Sequence, residues 1–350
     1  MYIYARAKEE NKMKIILDGM GGDNAPEAIV EGAVAASEAT EHSIVIIGTE
    51  EIIKAELAKH RYDPEKISTV NATEIISNDD APVRAVRSKK DSSIVKGINM
   101  VKSGEGDIFI SAGSTGALLA GGLFILGRVQ GIDRPALASI YPIIGGEPSL
   151  LVDAGANADC KPNNLLEFGM MGSIYMEKVI GRENPRVGLV NIGAEAAKGS
   201  TLTKAAYDLL DQSHLNFVGN VEAREVPKGA CDVVVTDGFT GNVLLKLTEG
   251  LAWNILQVLK QRFTDGVKAK LGAALLLDKI KGLKKEFDYS EYGGAPILGV
   301  KGPIVKMHGS SNANAVKNTI LKGIPYVTEK VVDTIQNSVL EIEEITLSEY

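Results

Sequence analysis

The chain is short of several things, and each shortage excludes a class of function. Two cysteines, Cys160 and Cys231, in 350 residues are too few for a disulfide-stapled scaffold and fit a reducing compartment as buried thiols. Four scattered histidines, His42, His60, His214 and His308, stand in no HxxxH, HxxE or CxxC spacing, so no metal site is expected. No apolar run approaches the roughly 20 residues of a membrane span, and the opening "MYIYARAKEENK" lacks the apolar centre of a signal peptide. Residues 1–12 are expected to be a disordered extension ahead of Met13, where a clear strand begins. Gly-Lys occurs nowhere, which removes the GxxxxGK[ST] mononucleotide loop, and "GMGGDN" lacks the last glycine of the dinucleotide fingerprint. Basic excess is missing as well: a formal charge of −7 argues against a nucleic-acid partner.

What is present is a regular α/β rhythm. A hydrophobic content of 45% supplies a core for one large domain or two ordinary ones. Strand candidates are "KIILDG", "SIVIIG", "DIFISAG", "SLLVDAG", "VGLVNIG", "NFVGN", "CDVVVTDG" and "PIVKMHG", separated by helical segments such as "APEAIVEGAVAASEA" and "TLTKAAYDLLDQS". Continuous apolar runs flanked by helices predict strands buried on both faces of a parallel sheet. The expected fold is therefore a doubly wound, three-layer α/β sheet of Rossmann-like type, with residues 13–350 forming a single domain.

Two of the strand ends are near copies. Residues 107–119 read "DIFISAGSTGALL" and residues 232–244 read "DVVVTDGFTGNVL"; each runs from Asp through an apolar strand to Gly-x-Thr-Gly and a helix start. Other strands end in "DGMGGDN", "DAGAN", "NIGAE" and "HGSSNAN". In open α/β sheets ligands bind beyond the carboxyl ends of the strands, where glycine lets backbone amides approach an anion. Both turns are expected to face one site, and phosphate or a phosphoryl group is the expected ligand. Asp18 and Asp23 are expected to shape their turn and cap the next helix, with Ser310 or Ser311 capping the helix after "HGSSNAN".

One excursion, about residues 248–290, departs from the rhythm: it is long, helical and amphipathic. From 260 to 285 it carries eight Lys and Arg against two Asp, with "GAALLL" between the basic clusters. An apolar tip flanked by lysines suits a segment that dips into an anionic membrane surface, with Leu275, Leu276 and Leu277 at the tip. A dimer-forming hairpin with a solvated lysine face is an equal reading, and both can hold at once.

"KIILDGMGGDNAPEAIVEG", "PVRAVRSKKDSS", "ISAGSTGALLAGGLFILGRVQGIDRPALA", "DAGANADCKP", "NFVGNVEAR", "VVVTDGFTGNVLLK" and "VKMHGSSNANAV" together resemble, in order from Met13 to roughly residue 330, the bacterial phosphate acyltransferase family of the PlsX type. The resemblance implies transfer of a long-chain fatty acyl group from acyl carrier protein to inorganic phosphate, giving acyl phosphate for phospholipid synthesis. It implies a homodimer with a fold like the isocitrate and isopropylmalate dehydrogenases and the phosphotransacetylases. No organic cofactor is implied, and the cytoplasmic protein would hold peripherally to the membrane beside the downstream glycerol-phosphate acyltransferase. One position departs: the family usually carries Asn where this chain has Ser114.

That chemistry needs phosphate held near a thioester carbonyl and donors where the oxyanion develops, with no strong general base, because phosphate is already anionic and a thiolate leaves readily. The expected phosphate-binding set is Ser111, Gly113, Ser114, Thr115 and Gly116 from one turn, Thr240 and Gly241 from its copy, with Asn157, Lys306 and Ser310. Expected catalytic residues are His308, Asn242, Asp237 and Lys161, with Asp237 orienting a donor or phosphate proton. His308 has two open readings, an acid or base, or an imidazole bonded to its own loop. Arg84, Arg87 and nearby Lys90 form a basic segment suited to docking the acidic carrier; a solvated face making ordinary ion pairs is the plain alternative, and the lysine cluster at 279–285 is a rival docking site. A phosphotransacetylase acting on acetyl-CoA and a non-catalytic lipid-synthesis scaffold are the rival functions.

Overall fold

The computed structural model describes residues 12–276, 278, 282, 291 and 293–348. The predicted extension lies almost wholly outside them, as do Leu277 and Lys279, Lys281, Lys284 and Lys285 of the basic excursion.

The elements, in chain order, are β1 (Lys14–Asp18), α1 (Glu27–Ser37), β2 (Ser43–Gly48), α2 (Glu50–Leu57), β3 (Ile67–Asn71), α3 (Pro82–Ser88), α4 (Ser93–Ser103), β4 (Ile108–Ser111) and α5 (Thr115–Gly121). They continue with β5 (Ala136–Tyr141), β6 (Ser149–Val152), α6 (Pro162–Tyr175), β7 (Val187–Asn191), α7 (Thr201–Asp211), β8 (Phe217–Glu222), β9 (Val233–Val235), α8 (Gly238–Thr264) and α9 (Gly266–Leu275). The last four are β10 (Ala295–Leu298), β11 (Ile304–Lys306), α10 (Ala313–Thr328) and α11 (Val331–Ser348).

The chain divides into two compact units, the first Met1–Ala138 with Ile174–Glu183 and Tyr292–Tyr350, the second Ser139–Ser173 with Asn184–Glu291. In the first, the strand order is β3-β2-β1-β4-β11-β10, and β5 adds to β10 through Ala136 and Leu137. All these pairings are parallel except those of β10, which runs antiparallel to both neighbours. The second has the order β6-β9-β7-β8, parallel throughout.

The physical basis is the one the apolar runs predict. Every residue of β4, β7 and β9 is buried, as a parallel strand covered by helices on both faces requires. All eight strand candidates are strands. Three further strands escape the pattern: β3 "ISTVN" is half polar and half exposed, β5 "ALASIY" opens on small residues, and β10 "APIL" contains a proline.

Two capping expectations are corrected. Helix α1 starts after Pro26 with no side-chain cap; Asp23 instead donates its backbone N–H to the Gly309 carbonyl at 2.7 Å. At α10 the cap is Asn312, whose Oδ1 accepts the Ala315 N–H at 2.9 Å, while the Ser311 hydroxyl turns back to the His308 carbonyl at 2.7 Å. In both places the expected residue is engaged by a loop from elsewhere in the chain or by its own turn.

Candidate active site

In the first unit, three strand-end turns are knitted together: 18–24 after β1, 111–116 after β4 and 306–312 after β11. Asp18 is almost fully buried and accepts the Ser111 hydroxyl at 2.6 Å and the Met20 N–H at 3.1 Å. Ser111 in turn accepts the Gly113 N–H at 2.9 Å. A carboxylate thus shapes its own turn and reaches across to brace the next, which satisfies a buried charge with directed donors. Gly21 is required for that approach, since a Cβ there would stand 2.4 Å from Asp18 Oδ2 and 2.6 Å from the Gly113 nitrogen. Asn24 fastens the third turn by donating to the carbonyls of Ser310 and Ser311, both at 3.2 Å.

Lys306 ends β11 and bends its ammonium onto the carbonyls of Ala112, at 3.0 Å, and Met307. Its charge is therefore held at the base of the 111–116 turn. His308 is exposed; its Nδ1 accepts the Ser310 N–H at 3.2 Å and lies 2.8 Å from the Ser310 hydroxyl. With Nδ1 accepting, the neutral ring carries its proton on Nε2 and presents a donor there. Ser114 caps α5 toward the Ala117 N–H at 3.5 Å. The half-exposed Thr115 has no hydrogen-bond partner for its hydroxyl among the described residues.

The second unit repeats the plan with different details. Asp153, fully buried at the end of β6, accepts the N–H groups of Gly155, Ala156 and Asn157 at 3.0, 2.9 and 2.7 Å and the Asn157 side-chain amide at 2.9 Å. Burial pushes its carboxyl up, and these donors pull against that shift without reversing it. The start of α8 lies on this turn: Gly238 donates to the Asn157 carbonyl at 2.7 Å, and a Cβ on Gly241 would fall 1.9 Å from the Asp153 carbonyl oxygen. The repeated glycine therefore serves close backbone approach before it serves any ligand.

Asp237 is the cap of α8. Its Oδ1 accepts the Thr240 N–H at 2.9 Å and its Oδ2 the Thr240 hydroxyl at 2.8 Å. Both carboxylate oxygens and the one hydroxyl proton of Thr240 are committed to each other. Asn242 and Lys161 are exposed, and among the described residues neither side chain has a partner. Cys231 is buried and burial pushes its thiol up to about 12, so it is no nucleophile. Cys160 is half-buried and donates to the Asn157 carbonyl at 3.5 Å. No group of three metal-ligating side chains occurs among the described residues.

The structure thus brings together Ser111, Gly113, Ser114, Thr115, Gly116, Lys306, His308 and Ser310 in the first unit, and Asn157, Lys161, Asp237, Thr240, Gly241 and Asn242 in the second. The sequence offers no role for Asp18 and Asp153 beyond turn shaping; their spacing from a strand end, "LDG" and "VDAG", is the signal that marks them as a matched pair.

The fold is similar to that of solved phosphotransacetylases. The crystal structure of a phosphotransacetylase from Streptococcus pyogenes superposes with a TM-score of 0.61 at 17% identity, covering 94% of this chain and 98% of the other. The EutD phosphotransacetylase from Staphylococcus aureus gives 0.58 at 18% identity, over 91% and 94%. Sequence carries the assignment further. The family described as "Fatty acid synthesis protein" matches residues 13–334. Proteins named "Phosphate acyltransferase" from Alkaliphilus oremlandii and Clostridioides difficile are 54% and 50% identical over 327 and 332 residues, covering 93% and 95% of this chain and 97% and 98% of theirs. The chain belongs to this phosphate acyltransferase family of fatty acid synthesis proteins.

Proposed function

We propose that this chain transfers a long-chain fatty acyl group from a carrier-protein thioester to inorganic phosphate, releasing acyl phosphate and the carrier thiol for phospholipid synthesis. The carrying observation is the glycine turn 111–116 of the first unit with the unengaged hydroxyl of Thr115. Such a site suits a reaction whose nucleophile arrives as a substrate. A phosphate oxygen attacks the thioester carbon, the C–O bond forms, the C–S bond breaks with its electron pair, and the thiolate takes up a proton.

On this reading Thr115 and the amides of the 111–116 turn contact phosphate, with Lys306 holding the turn. In the second unit, taken by itself, the unengaged side chains of Asn242 and Lys161 suit donation to an oxyanion. Asp237 acts through Thr240 as a positioning residue. Exposed Leu247, Leu251, Ile255 and Val258 along α8 support pairing with a second copy. Leu275 and Leu276, 88% and 50% exposed at the end of α9, support peripheral membrane contact, and no described helix is long and apolar enough to cross a membrane.

The test is acyl-phosphate formation trapped as hydroxamate, from palmitoyl-carrier protein and phosphate, with acetyl-CoA in parallel. Phosphate-dependent product is expected with the carrier thioester. Asn242→Ala should lower kcat by about 10- to 1,000-fold, and Thr115→Val should raise the KM for phosphate. Turnover of acetyl-CoA alone would assign the chain to phosphotransacetylase chemistry instead, and an Asn242→Ala enzyme with native kinetics would remove Asn242 from the mechanism.

A further inference from the structure

Helix α3 presents an unneutralised basic face. Arg84 and Arg87, three residues apart and both exposed, have no ion-pair partner among the described residues. Of the nearby acids, Asp80 pairs with Lys89 at 2.6 Å and Asp91 with Lys96 at 2.5 Å, while exposed Asp79 has no ion-pair partner among the described residues. Lys90, past the helix end, bends onto the Val86 carbonyl at 3.2 Å and adds a third cation. Apolar groups lie among the charges: the Arg87 guanidinium stands 5.1 Å from the centroid of Phe124, a ring 54% exposed, and Val83 is exposed beside Arg84. Val83, Arg84 and Arg87 border an open groove of about 580 Å³ along α3. An exposed aromatic under an arginine, flanked by unpaired cations, fits an acidic amphipathic helix of a protein partner.

The position matters as much as the charge. Pro82, the first residue of α3, lies against the second glycine of the 111–116 turn, where a Cβ on Gly116 would fall 2.6 Å from Pro82 Cγ. A partner seated on α3 is thereby seated on the element that buttresses Thr115. On a chain whose net charge is −7, an acidic partner is repelled at long range, so a local patch of this kind decides where it lands.

We propose that the Arg84–Arg87–Phe124 face is the seat of the acidic protein that delivers the acyl thioester, and that it selects carrier-bound thioesters over small ones. The inference rests on the acyl-transfer reading for its choice of partner. The patch acts on affinity: it carries no donor to the reacting atoms.

The experiment measures the affinity of full-length protein for a fluorescently labelled bacterial acyl carrier protein, wild type against Arg84→Glu/Arg87→Glu and Phe124→Ala. Turnover of palmitoyl-carrier protein and of the uncharged palmitoyl thioester of N-acetylcysteamine is followed in parallel. The charge reversal should weaken carrier affinity at least about tenfold and flatten its salt dependence. The KM for the carrier thioester should rise in step while kinetics with the small thioester stay within about twofold. Wild-type affinity in the reversed variant, or equal losses on both thioesters, overturns the proposal. A changed sedimentation mass would assign the face to a second copy of the chain and overturn it too. Arginine-dependent carrier binding by a wild type that turns over neither thioester would keep the docking face and sink the transferase reading; turnover with arginine-independent binding would do the reverse.

Discussion

Carboxylates at strand ends do structural duty in this protein. Asp18, Asp153 and Asp237 each accept two or more donors from their own or the neighbouring turn, so their oxygens are already engaged within the turns. Among the described residues, the side chains of Thr115, Asn242 and Lys161 have no hydrogen-bond partner. A second residue-scale consequence concerns the thiols. With its pKa raised to about 12 by burial, Cys231 is a neutral thiol at pH 8, and its thiolate fraction grows about tenfold per pH unit only toward that value. Titration of native protein with a disulfide reagent at pH 8 should therefore show one reacting thiol per chain, Cys160, with Cys231 appearing on unfolding. Two equally fast thiols in the native state would contradict the burial of Cys231.

At the scale of elements, α8 depends on its first turn, because Asp237 supplies the cap and Thr240 locks it. Asp237→Ala should cost about 1 kcal/mol of stability, read as a lower urea midpoint at unchanged slope. Asp237→Ser, which keeps an N-cap oxygen, should recover most of that stability and turnover together. Recovery of stability without turnover would show that the carboxylate itself acts in the reaction. The strands show why elements differ in legibility. Runs such as "CDVVVTDG" announce themselves because both faces are buried, whereas β10 holds a proline and two antiparallel partners, features that read as loop until β5 and β11 are seen beside it.

For the whole molecule, the balance of charge and apolar surface sets the surroundings it tolerates. The total charge is −7, and α8 and α9 expose a series of large apolar side chains, more than a solitary globular surface normally leaves uncovered. If the α9 end meets lipid, Leu275→Ser/Leu276→Ser should reduce co-sedimentation with vesicles rich in phosphatidylglycerol by about tenfold or more. Undiminished sedimentation of the variant would make that end a packing element.

The amino-acid sequence by itself determined the α/β class, eight of the eleven described strands, the duplicated turns and the family, because these depend on periodicity and on short motifs read along the chain. Tertiary structure alone decided what the motif residues do. Ser111 is engaged by Asp18, 93 residues earlier, and Lys306 by Ala112, 194 residues earlier; each looks like a ligand in its own motif and becomes a brace once folding brings its partner near. A hydrogen-bond partner at such separation leaves no local trace, so which donors stay open for substrate is a property of the fold.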